Sequence, residues 1–121
     1  MEYDIIVLGG GPGGYLAAER AGQAQKKVLC IEEAHLGGTC LNEGCIPTKT
    51  LLYSGKLYAH AKHSQAYGVH AKDVTLDHSA VIDRKEQVIR TLVGGVGATL
   101  KACHVDVVDA KGVIPGRTAD G

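Results

Sequence analysis

Phenylalanine and tryptophan are both missing from the sequence, and its aromatics are five tyrosines among 121 residues. So few rings argue against a stacking platform for single-stranded nucleic acid. An excess charge of either sign is missing too, since 13 Lys and Arg balance 13 Asp and Glu. There is therefore no basic field to attract a phosphate backbone or an anionic membrane surface. No apolar run reaches the roughly 18 residues of a membrane span. The start, "MEYDIIVLGG", is acidic, and its apolar run ends at Leu8, so the basic start and longer core of a signal peptide are lacking. The expectation is a cytoplasmic chain with no nucleic-acid or membrane partner. Structural disulfides rarely persist in that compartment, so the four cysteines ask for another explanation.

Glycine is what the chain has in excess, with 17 residues, about twice the usual share. The glycines cluster at 9–14, 37–44 and 94–97 without a period, which points to local backbone demands. Around them the elements alternate. "YDIIVLGG" reads as a short strand buried on both faces, and "GYLAAERAGQAQ" as a helix with apolar Leu16, Ala17, Ala18 and Ala21. Val28–Ile31 of "KKVLCIEE" is a second buried strand, completing a βαβ unit with a parallel pair. A long helix follows Pro47 and closes at Gly68. Another starts at the N-cap Asp77, with Ile82, Ile89, Val93, Val96 and Leu100 at helical spacing. Gly94, Gly95 and Gly97 weaken that helix, so they mark either close backbone packing or a frayed end. "HVDVVDAKGVI" reads as strand, turn or bulge, and strand, and "PGRTADG" as turn residues after which the chain looks cut.

Gly9, Gly11 and Gly14 occupy the marked positions of G-x-G-x-x-G, with Pro12 between them. The first glycine makes the tight turn out of a strand, and the second lets backbone approach a pyrophosphate. The third lets helix and strand pack closely. The start of the helix then presents its amides and positive dipole end to the phosphates. Glu32 lies 18 residues beyond Gly14 at the end of the next strand, where a carboxylate can accept ribose hydroxyl hydrogens. Its neighbour Glu33 is the residue that could be confused with it. Strand, loop, helix and acid in this order indicate a dinucleotide site.

Cys40 and Cys45 sit five positions apart in "GGTCLNEGCIPTK" and could be a structural disulfide, a metal site or a redox pair. Cys30 and Cys103 fall in expected strands as small buried residues, and His60 and His63 share a helix face without completing a zinc set, so no metal is expected. In a regular helix residues five apart lie about 8.6 Å apart at Cα. A disulfide needs less than about 7 Å. The segment must bend, and Gly44 is the residue that can bend it. A strained, accessible disulfide is readily reduced, and a thiolate at Cys45 would be stabilised by the helix that follows. Flavin passes two electrons to sulfur where a nicotinamide delivers hydride, so FAD suits the neighbouring dinucleotide site better than NAD.

"VLGGGPGGYLAAERAGQ", "CIEE" and above all "LGGTCLNEGCIPTKTLL" resemble the FAD-dependent pyridine nucleotide–disulfide oxidoreductases over essentially the whole chain. "CLNEGCIPTK" is closer to the pattern of the dihydrolipoamide-oxidising members than to the related blocks of glutathione and mercuric reductases. The resemblance implies an α/β, Rossmann-like FAD-binding domain, a parallel sheet with flanking helices. Residues 1–121 would be its incomplete N-terminal part, with the NAD-binding and dimerisation domains absent from this chain. It implies oxidation by NAD of dihydrolipoamide, on the lipoyl groups of 2-oxoacid dehydrogenase complexes or similar, through a Cys40–Cys45 disulfide and FAD. Cys40 would meet the substrate dithiol, Cys45 would form a thiolate against the flavin, and Lys49 would contact the flavin ring. Gly37, Gly38 and Thr39 would line the cofactor, and Gly112 would bring backbone close to it. The whole protein would be a homodimer whose His–Glu acid–base pair lies outside this chain, so none of the six histidines takes that role. The alternatives are another disulfide or mercuric reductase of the same family, or an inactive truncated nucleotide-binding module.

Overall fold

In the computed structural model, which describes residues 2–116, the chain divides into two compact units. One comprises the residues up to Gly38 and those from Gly95 onward, and the other is Thr39–Gly94.

The first unit is a parallel sheet in the order β1 (Ile5–Leu8), β2 (Val28–Glu32), β3 (Val105–Asp109). Ile5 pairs with Val28, and Val28 with Val105, so alternate residues of all three strands share a face. On that face Val28 and Cys30 are fully buried, together with Ala18 of α1 (Pro12–Gln23) and Leu100 of α4 (His78–Ala102). Burying side chains such as Val28 and Leu100 contributes about 1.5–3 kcal/mol each. Gly22 fixes how near α1 comes to the start of β3. A Cβ there would overlap the Cys103 carbonyl oxygen and lie 3.0 Å from Val105 Cγ2. Small residues on one face of α1 thus set the helix-to-sheet distance, whereas Leu16 and Ala17 on its other side are exposed.

Several details depart from the sequence expectations. β1 is an edge strand, and Ile6 and Leu8 are 56% and 46% exposed, so it is not buried on both faces. Only Val7 of that strand packs on the core, because an apolar run specifies extended backbone but not the number of neighbours. Cys103 lies in the turn between α4 and β3 and not in a strand. No strand forms after residue 109 among the described residues; Val113 and Ile114 are 74% and 79% exposed, with no adjacent strand to hold them. The expected turn over "PGRTADG" lies mostly outside the described residues.

The second unit is helical. It carries α2 (Gly38–Asn42, from Thr39 onward), α3 (Cys45–His63), a 3₁₀ turn at Ser64–Tyr67, and the first part of α4. The left-handed Gly68, at φ 75°, ends the 3₁₀ turn, and the Asp77 carboxylate caps α4 by accepting from the Ala80 amide at 3.0 Å. Pro47 lies in the first turn of α3, where its missing N–H is not needed, and it is buried there with Thr50. The Thr50 hydroxyl donates to the Ile46 carbonyl at 2.8 Å.

Helix α4 runs unbroken through Gly94, Gly95 and Gly97, so that stretch is not a frayed end. Among the described residues it is not a backbone contact either: nothing lies within 4 Å of a Cβ at Gly94 or Gly95, and one at Gly97 would meet the Leu36 side chain at 3.8 Å. Gly94→Ala and Gly95→Ala are accordingly expected to stabilise the chain by about 0.8–1 kcal/mol each. Urea unfolding of the single variants measures this, and an unchanged midpoint would show that the two positions meet something that the helix alone does not reveal.

Candidate functional site

The turn from β1 into α1 is built by glycines with distinct jobs. Gly9 has φ +97°, a conformation side chains disfavour, and its amide donates to the Ile31 carbonyl at 2.8 Å. Gly14 faces the loop directly: a Cβ there would overlap the Gly9 carbonyl oxygen and lie 3.4 Å from Val7 Cγ1. Gly11 is the helix N-cap and Pro12 its first residue. No side chain caps this helix and its first turn holds no carboxylate, so the helix itself supplies no anion to its positive end. Gly37 is buried, and its amide donates to the Gly10 carbonyl at 2.8 Å. Gly38, at φ +58°, lies so close to Gly11 that a Cβ would come within 2.8 Å of its Cα. The 37–38 pair therefore abuts the nucleotide loop.

Glu32 closes the arrangement. Its carboxylate accepts from the Ala34 amide at 2.9 Å and from the Gly10 amide at 2.6 Å. These amides, Ala34 first and then Gly10, hold its pKa below the ordinary value. The carboxylate is thus ionised at neutral pH and accepts hydrogen bonds without donating any. Around it opens a crevice of about 340 Å³ at the carboxyl ends of all three strands. Leu8, Gly9, Ile31 and Glu32 form one side, and Ala110, Lys111 and Gly112 the other. Gly112 packs on the strand ends, where a Cβ would overlap Leu8 Cδ2 and sit 3.6 Å from Ile31 Cγ2. A crevice outside the carboxyl ends of parallel strands is where open α/β sheets take ligands.

The second unit holds Thr39, Cys40, Cys45 and Lys49. Cys40 lies in α2, and Cys45 is the first residue of α3, two residues earlier than a helix beginning at Pro47 would place it. The break falls at Gly44, as the spacing requires. All four cysteines are free thiols; Cys40 is partly buried and Cys45 exposed. The Cys40 thiol is pushed up, chiefly by its hydrogen bond with the Cys45 side chain, then by desolvation and by charge on Cys45. The Cys45 backbone amide and the Lys49 ammonium act in the opposite direction. Lys49 stands one turn beyond Cys45 in α3, which brings its ammonium within electrostatic reach of the sulfurs.

A phosphate-ready helix start, a strand-end carboxylate and two thiols on adjoining helix ends thus occur in one short chain. The profile of the pyridine nucleotide-disulphide oxidoreductases matches residues 3–117. The chain belongs to that family. Among curated relatives it is 50% identical over 108 residues to the dihydrolipoyl dehydrogenase of Bacillus subtilis, covering 89% of this chain and 23% of that protein. It is 45% identical over 116 residues to the dihydrolipoyl dehydrogenase of Zymomonas mobilis, covering 96% and 25%. In fold it is similar to the crystal structure of LpdA from Mycobacterium tuberculosis, with TM-score 0.81 and 25% identity over 88% of this chain and 23% of that one. The chain thus spans about a quarter of the length of the relatives it matches.

Two contributors to this oxidoreductase site escaped the sequence reading. Gly10, an unmarked position of the fingerprint, has no room for a side chain: a Cβ would lie 2.8 Å from Leu36 Cδ1 and 3.2 Å from Glu32 Cβ. Leu36, in the segment that follows β2, packs on the core. The available signal was the run of consecutive glycines at 9–11, longer than the fingerprint needs. The Glu32 clamp also has a pH signature. A pKa lowered in the folded state contributes stability that is complete above the unfolded value, near pH 4.3, and is lost as pH falls through the folded value. Glu32→Gln is expected to cost about 1–2 kcal/mol at pH 7 and to flatten the loss of stability below pH 4. Urea midpoints across pH 3–7 check this; identical pH profiles for both proteins would remove Glu32 from the clamp.

Proposed function

We propose that this chain is the N-terminal part of the FAD-binding domain of a dihydrolipoyl dehydrogenase, whose NAD-binding and dimerisation domains lie outside residues 1–121. Support for FAD comes from the uncapped start of α1, the ionised Glu32 and the crevice at the strand ends. The amides of α1 would hold the pyrophosphate and Glu32 the ribose hydroxyls, with Gly37, Gly38, Thr39 and Gly112 along the cofactor and Lys49 by its ring. FAD, when bound, would accept two electrons from the dithiol and deliver them to NAD.

The chain's own chemistry is disulfide exchange. A thiolate of a dihydrolipoyl group attacks Cys40 Sγ of the oxidised pair, the Cys40–Cys45 bond breaks, and Cys45 leaves as thiolate. The second substrate thiolate then attacks the substrate sulfur of the mixed disulfide, closing the lipoyl disulfide and releasing Cys40. Of the two protons lost by the substrate, one ends on Cys40 and one on a base outside this chain.

The observation that carries the reading is the placement of Cys40 and Cys45 on two helix ends that meet at Gly44, within a family-matched chain. Its test is a thiol count on denatured protein before and after equilibration with glutathione disulfide. Two thiols should disappear from the native sequence, without retained glutathione. An unchanged count defeats the reading.

A further inference from the structure

Gly44 lies between the two cysteines in sequence, and its Cα faces the backbone of Cys40. Its φ is −117° and ψ −105°, and it separates α2, which carries Cys40, from α3, which begins at Cys45. Two backbone hydrogen bonds meet at this point. The Glu43 amide donates to the Thr39 carbonyl at 2.9 Å, and the Thr48 amide donates to the Gly44 carbonyl at 3.1 Å, opening α3. A Cβ on residue 44 would lie 3.0 Å from that same Thr39 oxygen and 3.5 Å from both Thr39 C and Cys40 Cα. The facing atoms are backbone, so no rotamer change relieves the contact. Relief requires the start of α3 to move away from the last turn of α2, and one sulfur rides on each of those segments.

We infer that Gly44 is a positioning residue for the dithiol: its bare Cα lets the two helix ends approach closely enough for the Cys40–Cys45 bond to close. The inference rests on the proposed redox disulfide and adds the residue that sets its equilibrium. In the closing reaction a Cys45 or Cys40 thiolate attacks glutathione disulfide and releases one glutathione. The other cysteine then displaces the second. The pair loses two electrons and two protons, and one glutathione disulfide becomes two glutathione thiols.

The test is the equilibrium constant for that reaction in the whole chain with residue 44 as Gly, Ala or Val, read by thiol trapping over a series of glutathione ratios. Gly44→Ala is expected to lower the constant at least tenfold, about 30 mV in potential, and Gly44→Val further. Circular dichroism of the reduced proteins should stay native, because reduced sulfurs need not approach to bonding distance. Gly94→Ala, in open space, should leave the constant unchanged. A native-sequence protein that forms no disulfide would defeat the proposed function itself. Formation in the native sequence with equal constants in Gly44→Ala and Gly44→Val would overturn this inference alone. Loss of helicity in both reduced variants would also overturn it, since residue 44 would then serve the fold and not sulfur closure.

Discussion

Gly14→Ala is expected to remove the nucleotide-binding unit's fold, or to destabilise it by about 3 kcal/mol or more. The added methyl would coincide with the Gly9 carbonyl oxygen and come within 2.9 Å of its carbon. Both partners are backbone, one in the first turn of α1 and the other in the turn leaving β1, so relief means lifting the helix off the strand. That movement would disturb Val7 and Tyr15, which pack on the buried cluster, and would pull the Gly9 amide from the Ile31 carbonyl. Small domains have only about 5–15 kcal/mol of stability in total, so the loss is a large fraction of it. FAD affinity should fall more than a hundredfold, the equivalent of about 3 kcal/mol. Gly13→Ala is the control. No atom lies within 4 Å of a Cβ there, and alanine within a helix is expected to be neutral or to stabilise by about 0.5–1 kcal/mol. Urea midpoints for both variants decide the matter; a native midpoint for Gly14→Ala would mean that loop and helix are not locked as described.

The contrast between Gly13 and Gly14 shows what the sequence could and could not reveal. The fingerprint spacing marks Gly9 and Gly14 because strand exit and close helix packing follow from local geometry, and both marks correspond to a positive φ or an occupied Cβ position. Gly10 carries no mark because its constraint comes from Glu32 and Leu36, which are 22 and 26 residues away. The same distinction explains the strands. Continuous apolar runs, the second ending in acid, located β1 and β2, whereas the exposure of Ile6 and Leu8 depends on which neighbours stand beside the edge. Val113 and Ile114 have strand-like side chains but no strand beside them, and β propensity alone does not supply one. In the helical unit, the need for a bend between Cys40 and Cys45 was legible from rise per residue alone. The start of α3 at Cys45 was not, because it depends on the Thr48-to-Gly44 hydrogen bond. Pro47 tolerates that shift because it still lies in the first turn.

Cys45→Ser and Cys40→Ser are expected to part company completely when the chain, loaded with FAD, is titrated with two electrons. Under the proposed roles the native sequence should develop a long-wavelength absorbance band from thiolate against flavin. Cys45→Ser should abolish it, and Cys40→Ser should keep it. The asymmetry has a physical basis in the pair. The hydrogen bond with Cys45 and the charge on Cys45 both raise the Cys40 thiol above its ordinary pKa. A raised thiol pKa means the protonated form of Cys40 persists at neutral pH and is lost only as pH climbs through the raised value. Cys45 stands at the first position of α3, where the helix start favours an anion. Exchange with glutathione disulfide separates the variants a second way. Cys45→Ser leaves Cys40 without a resolving thiol and should hold one glutathione as a mixed disulfide, visible by mass spectrometry and removed by dithiothreitol. Retention of the band in Cys45→Ser together with its loss in Cys40→Ser would exchange the two roles. Its presence in both variants would remove the dithiol from contact with the flavin altogether.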